Sequence, residues 1–329
     1  MKKYIIILLL SLFISELAIS QDPFFSQYYE SPMSLNPALI GNGLVKDARI
    51  SMITRNQWWG GNSQPYLTNT VSFEKRIGEK NLGEDQFVMG LMLLNERSNG
   101  GVLSNTYFTG GLNYRNSLDA EGKSVLSGAI SASYSNRMLD LSQATFQSQF
   151  GSFGFIQSAS NYDPISSSSL NNKYFDVNIG LSYEHKSNKM DYEIGSALFH
   201  ASRPKEGVVN NTEYKMDPRV VFTSTLKWRP SITGEWSLSG NYQIQSQKQL
   251  LTMGVTYAVC VTDNTTHKAI LGLYNRFNES VYPYIGIQSN DLKFGVSYDI
   301  ITGAAKTSLN SVQSFEASMS LTIGKKKQS

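Results

Sequence analysis

From residue 44 onward, this chain places apolar side chains at every second position in one short segment after another. Phe175, Val177, Ile179, Leu181 and Tyr183 alternate with Asp176, Asn178, Gly180, Ser182 and Glu184. Leu292, Phe294, Val296, Tyr298 and Ile300 alternate with Lys293, Gly295, Ser297 and Asp299, and Phe315–Ile323 repeats the rhythm. A period of two sends the two sets to opposite faces of a sheet. Similar segments run through Trp236–Gln245, Leu250–Val259 and Ala269–Asn275. Less regular ones lie at Val45–Thr54, Leu67–Lys75, Phe87–Asn95, Asn105–Arg115, Val125–Tyr134, Tyr192–His200, Val220–Trp228 and Val281–Gln288. The pattern predicts an all-β chain of about fourteen strands.

Length separates a membrane barrel from a soluble sandwich or propeller. Soluble strands average five to six residues, whereas these segments run to about ten, the span of an outer-membrane strand. An even number of such strands closes into an antiparallel barrel, which alone satisfies every backbone group of a sheet inside lipid. No stretch after the N-terminus reaches eighteen consecutive apolar residues, so no spanning helix is predicted. Lys2 and Lys3, the apolar run Tyr4–Ile14 and the small residues Ala18-Ile19-Ser20 have the order of a secretory signal cleaved before Gln21.

Composition removes other classes. Charged residues are 17% of the chain and the net charge is +3, without the basic excess of a nucleic-acid binder. One cysteine, Cys260, and three histidines leave little for a disulfide framework or a metal centre, and no cofactor is predicted. The predicted organisation is a signal at 1–20, an irregular segment at 21–43, a barrel at 44–324 and a basic tail at 325–329.

The gaps between strands predict an orientation. The longest, 135–173, 201–218 and 301–313, all follow odd-numbered strands, and long loops of such barrels face outward. Both mature termini are then expected on the periplasmic side. Trp58, Trp59, Tyr114, Tyr183, Trp228, Trp236 and Tyr298 fall near strand ends, where interfacial girdles form.

Residues 21–43 do not alternate. They hold Pro23, Pro32 and Pro37, which oppose helix interiors and central strands. An irregular plug at the periplasmic mouth is predicted here. The segment contains Asp22-Pro23-Phe24-Phe25-Ser26-Gln27-Tyr28 and Leu35-Asn36-Pro37-Ala38-Leu39-Ile40-Gly41. Later come Arg55-Asn56-Gln57-Trp58, then Phe199-His200 with Arg203-Pro204, then Gly295-Val296-Ser297-Tyr298-Asp299-Ile300 and Phe315-Glu316-Ala317-Ser318-Met319-Ser320-Leu321. In this order these stretches resemble the PorP/SprF family of type IX secretion system membrane proteins from Bacteroidetes.

The resemblance implies a non-enzymatic outer-membrane barrel that supports secretion or surface attachment of proteins, including gliding adhesins with a C-terminal sorting domain. Its partners would be outer-membrane lipid, other type IX components and secreted cargo. Phe24, Phe25, Tyr28, Asn36, Arg55, Gln57, Trp58, His200 and Arg203 are the candidates for plug or partner contacts. The loop 135–173 is the candidate cargo surface. Two other classes remain open: a passive or solute-specific pore, and a rim hydrolase with His200 as general base beside Ser202. No G-x-S-x-G, H-E-x-x-H or paired-carboxylate pattern accompanies His200.

Overall fold

A computed structural model of the chain describes residues 22–44, 46–60, 64–77, 85–141, 146–152, 154–156, 170–205, 215–261, 266–302 and 312–324. Fourteen antiparallel strands form one closed barrel in simple neighbour-to-neighbour order. They are β1 (Ala48–Trp59), β2 (Tyr66–Ile77), β3 (Gln86–Ser98), β4 (Leu103–Ser117) and β5 (Ser124–Leu139). Then come β6 (Leu170–Lys186), β7 (Met190–Phe199), β8 (Arg219–Trp228), β9 (Gly234–Gln245) and β10 (Lys248–Cys260). β11 (His267–Arg276), β12 (Ser280–Ser289), β13 (Leu292–Ile301) and β14 (Gln313–Ile323) complete the wall. Closure is made by β14 against β1, from Ala48↔Ile323 to Asn56↔Phe315.

The polarity of the wall is that of a membrane barrel. Phe175, Leu181, Leu271, Ile285 and Ile287 are exposed on the outside, while Ser51, Asn113, Ser131, Asp176, Asn178 and Glu316 are buried inside. Leu and Ile facing outward in a continuous band need hydrocarbon as their solvent. Aromatic side chains pair at the short-turn end of the strands: Phe87 with Tyr114, Tyr183 with Tyr192, and Trp236 with Tyr257.

All three long connections, 140–169, 200–218 and 302–312, leave the same end of the barrel. The strands around the first of them are longer than the alternation predicted, because β5 runs on to Leu139 and β6 begins at Leu170. The predicted signal, the basic tail and most of the loop 140–169 lie outside the described residues. Within that loop, Phe150–Gly151 pairs with Gly154–Phe155, and both phenylalanines are exposed with their rings 5.5 Å apart.

The lumen is occupied by the chain's own N-terminal arm, residues 22–44. The arm is built from short turns at Tyr28–Glu30, Pro32–Leu35 and Pro37–Leu39. Proline suits the first position of such a turn, where its missing N–H has no partner to lose. Phe25 packs with Ile53 and Leu94; Met33, Ile40 and Leu44 pack with Val88 and Met92. Tyr28, Leu35 and Leu39 join a larger cluster with Phe199, Val221, Tyr274, Tyr282 and Tyr284.

The arm's course corrects two expectations. It does not sit at the short-turn mouth alone but runs the length of the lumen. Asp22 meets His200 at the long-connection end, and Lys46, just past the arm, meets Asp291 in a short turn at the other end. Gly324 lies beside Asp47 at that short-turn end, so Asp22 and Gly324 are at opposite ends and the two described ends of the chain do not share one side. Charge holds the arm's outer end in place: His200 and Arg219, the cations paired with Asp22, stand at the long-connection end.

Candidate functional site

The arm is pinned to the wall at four levels. At the long-connection end the Asp22 carboxylate lies 2.6 Å from His200 Nε2 and 3.0 Å from Arg219 Nε. The other His200 nitrogen, Nδ1, is 2.8 Å from Asp176. A ring facing a carboxylate on each side donates from both nitrogens only as imidazolium. Burial by itself lowers the His200 pKa, but the charges of Asp22 and Asp176 and their hydrogen bonds override it and lift the value to about 9. Burial likewise raises the Asp22 pKa, and His200 and Arg219 outweigh it, leaving that carboxyl well below the usual range. Two cations and two anions thus balance inside a site that excludes most water.

One level deeper, Ser26 and Gln27 enter a cage of two arginines and two acids. Glu316 accepts from the Ser26 N–H at 2.8 Å and the Gln27 N–H at 2.6 Å. The Ser26 hydroxyl donates to Asp299 at 2.8 Å and accepts from Arg55 at 2.6 Å and Arg276 at 3.0 Å. Arg55 also reaches Asp299 at 2.9 Å and Glu316 at 3.3 Å. Tyr282 donates to the Ser26 carbonyl at 2.9 Å, and Gln27 exchanges bonds with Ser297, Ser318 and the Glu316 backbone. The Phe24 ring lies against both guanidinium groups, 5.0 Å from Arg55 and 4.5 Å from Arg276.

At mid-lumen, Asn36 replaces backbone partners for both arm and wall. Its amide donates to the Leu181 and Ser196 carbonyls at 3.1 and 3.3 Å, while its oxygen caps the next turn by accepting from Ala38 N–H at 2.9 Å. Glycine in the wall makes room. A Cβ on Gly180 would stand 2.1 Å from the Asn36 oxygen, and one on Gly195 2.7 Å from its nitrogen. Asn113 then holds the Ala38 and Ile40 carbonyls, each at 2.8 Å.

At the short-turn end, Glu74 accepts from the Gly41 N–H at 2.6 Å and pairs with Arg49 at 2.8 Å. Gly41 has φ +79, and a Cβ there would stand 2.7 Å from Val88, so only glycine fits the bend. Asn42 donates to Glu193, and Arg76 to the Leu44 carbonyl.

The sequence candidates fall into three groups. Phe24, Phe25, Tyr28, Asn36, Arg55 and His200 belong to the arm–wall contact, with the Tyr28 hydroxyl 3.0 Å from Ser239. Gln57 and Trp58 instead line a cavity of about 470 Å3 above the arm, whose floor is Asp22, Pro23 and Phe24. Trp58 departs from the girdle expectation. A register shift between Asn56 and Trp59 and a φ of +60 turn it toward that cavity and edge-on to Tyr66. Arg203 is exposed at the rim, 3.4 Å from Asp217. His200 is not posed as a base for Ser202, whose hydroxyl donates to Asp176 at 3.0 Å.

Sequence reasoning missed Asp22, Ser26, Gln27, Asp176, Arg219, Arg276, Asp299 and Glu316 as members of the site. Three of these sat inside the N-terminal motif, where hydroxyl and amide groups flanking phenylalanines were the available signal.

A closed wall with apolar residues outward and a lumen lined by charged and polar groups defines an outer-membrane β-barrel, here with its interior filled by its own arm. The model of the family described as "Type IX secretion system membrane protein PorP/SprF" matches residues 18–321, and the chain belongs to that family. The CymD monoaromatic hydrocarbon channel is similar in structure, with a TM-score of 0.50 and 10% identity over 90% of this chain and 93% of that one. The TodX deltaS2S3 mutant monoaromatic hydrocarbon channel follows with 0.48 and 9% identity over 89% and 94%. The P. putida toluene transporter TodX gives 0.45 and 8% over 88% and 93%. The likeness is one of fold. Among curated proteins, none matches the sequence.

Proposed function

We propose that this protein is a docking barrel of the type IX secretion system, exported by a cleaved signal, that binds partner proteins and performs no chemistry of its own. Its partners are other components of the machine and secreted cargo, such as gliding adhesins bearing a C-terminal sorting domain. The end with the long connections faces the cell exterior, as long loops do in barrels of this kind. The observation that carries this reading is the arm, held along the lumen by charged contacts near both ends and by neutral hydrogen bonds from Asn36 between them. A lumen closed in this way supports binding at the rim in place of conduction. The exposed Phe150 and Phe155 give the outer loop an apolar tip for such contacts.

Purification from native outer membranes tests the reading. Recovery of type IX components or a surface adhesin with the wild-type protein is the expected result. A steady conductance of the wild-type barrel in planar bilayers, with no partner retained, would replace docking by a pore. Removing residues 142–168 at the tip, with both flanking strands kept, is expected to lower adhesin attachment.

A further inference from the structure

The wall of the barrel is stepped on one side. β6 pairs with β5 along its full outer length, up to Leu139↔Leu170. Its pairing with β7 stops at Ile179↔Leu198. Residues 170–178 therefore have no strand beside them on the β7 side among the described residues. Past Phe199 the chain turns off the wall, with His200 and Arg203 both at positive φ. The Asn172 side chain donates to the Lys205 carbonyl at 3.1 Å, and among the described residues the only backbone met there is that of Val177: its carbonyl accepts from Ala201 N–H at 3.0 Å and its N–H donates to Ser202 at 3.2 Å.

These two bonds fix the direction of every other backbone group in the segment. Successive residues of a strand point their N–H and C=O groups to alternate sides. Val177 points toward β7, so Phe175, Lys173 and Asn171 do as well, while Asp176, Tyr174 and Asn172 pair with β5. Among the described residues, no hydrogen bond reaches the backbone of Phe175, Lys173 or Asn171 from the β7 side.

Strand length places this edge outside the lipid. β5 has 16 residues and β6 has 17, where about 9–11 cross the hydrocarbon. The surplus lies at the long-connection end. An unpaired edge within lipid would cost several kcal/mol per group, so the open segment belongs to the projecting part. No proline or bulge blunts it. Phe175 is 72% exposed on its outer face, beside Lys173 on the same face.

We propose that the outer edge of β6, residues 171–175, is a β-augmentation site at which a partner protein adds an extended strand. Main-chain bonds to Phe175, Lys173 and Asn171 supply the affinity. The added strand would set an apolar residue against Phe175 and an acidic one against Lys173, as cross-strand pairs require. This deepens the docking function proposed above and rests on it for the outward orientation.

Amide exchange over residues 170–177 tests the site, comparing the protein purified in detergent with the protein in native outer-membrane vesicles. In purified protein the amides of Asn171, Lys173 and Phe175 should exchange fast and those of Asn172, Tyr174 and Asp176 slowly. In vesicles the fast set should slow at least about tenfold. Fast exchange in both preparations overturns the proposal. Slow exchange of that set in purified protein also overturns it, since the chain's own connection would then cover the edge.

A K173P/F175P variant removes two edge donors and leaves the β5 ladder intact, so the barrel should still assemble. It should lose the vesicle protection at Asn171 and about tenfold of the retained adhesin, whereas Phe175→Ala should keep the protection. Vesicle protection at Asn171 that survives the double-proline change overturns the edge as a docking site and leaves the docking function standing. Vesicle protection that persists in cells lacking the adhesins supports the edge and removes adhesin as its occupant.

Discussion

His200 Nε2 lies 2.6 Å from the Asp22 carboxylate, joining the outer end of the arm to the connection beyond β7 across 178 positions of sequence. The His200 pKa of about 9 stands above its ordinary 6.5. A raised folded-state value means stability fully present below about pH 6.5 and lost as the pH climbs through 9. For Asp22 the sign reverses: its contribution is present above about pH 4 and lost as the pH falls toward its depressed value. The arm should therefore be held best between about pH 4 and 6.5, with His200 contributing on the order of 3 kcal/mol. Protease access to the 22–27 stretch, followed against pH, should show a minimum in that window, rise between about pH 6.5 and 9 and level off above it. His200→Gln should flatten the alkaline limb, and an unchanged limb would count against the assignment.

The Arg55 cage makes a sharper demand. Removing one partner of a buried ion pair typically costs about 3–5 kcal/mol, because the other charge stays buried and uncompensated. Arg55→Ala leaves Glu316 and Asp299 with Arg276 alone beside Ser26. The arm should loosen, and the variant should conduct in planar bilayers more than the wild type. Glu316→Gln added to Arg55→Ala should recover part of the loss, because it removes the orphaned charge. A double variant no better than the single one would mean that the two side chains act independently.

Gly180 and Gly195 form the seat of Asn36. Gly180→Ala would bring a Cβ within 2.1 Å of the Asn36 oxygen, too close without displacement of the arm. The expected cost is about 1–3 kcal/mol, the range for overpacking, read as a lower midpoint in urea unfolding from lipid vesicles. Asn36→Ala alone should also destabilise, by loss of the bonds to Leu181 and Ser196. The two changes together should cost less than their sum, since the closest clash goes with the amide and leaves only the Ala38 nitrogen at 2.9 Å and Pro37 at 3.2 Å.

The wall was legible in the sequence because each of its residues faces one of two solvents. Phe175–Glu184 alternates cleanly where lipid lies on one side and the lumen on the other. The same strand's outer part, Leu170-Asn171-Asn172-Lys173, does not alternate, because both of its faces meet water beyond the bilayer; for that reason the alternation begins five residues inside the strand. In β1 the alternation stops at Thr54, short of the strand's end at Trp59, where the register shift between Asn56 and Trp59 breaks the rhythm. The arm's path was hidden for a different reason. Asp22 finds His200 and Ser26 finds Glu316 across hundreds of positions, and no local pattern carries such pairings. Phe24, Arg55 and His200 were found as members of motifs, but the partners that define their roles were not.

Leu271 distinguishes lipid from water as the solvent of the outer face. It stands mid-strand on β11, 60% exposed and opposite Ile285. In a water-soluble barrel, Leu271→Arg would be neutral or would improve solubility. In a bilayer it should cost about 2–4 kcal/mol at the midplane. Leu271→Phe should cost almost nothing, because lipid has no fixed packing to disturb, whereas a close-packed protein core would lose about 1–3 kcal/mol on such an enlargement. Folding into vesicles, followed by the mobility of unheated and heated samples on gels, should show Arg depressing the folded fraction and Phe leaving it unchanged. The opposite order would mean that this face packs against protein.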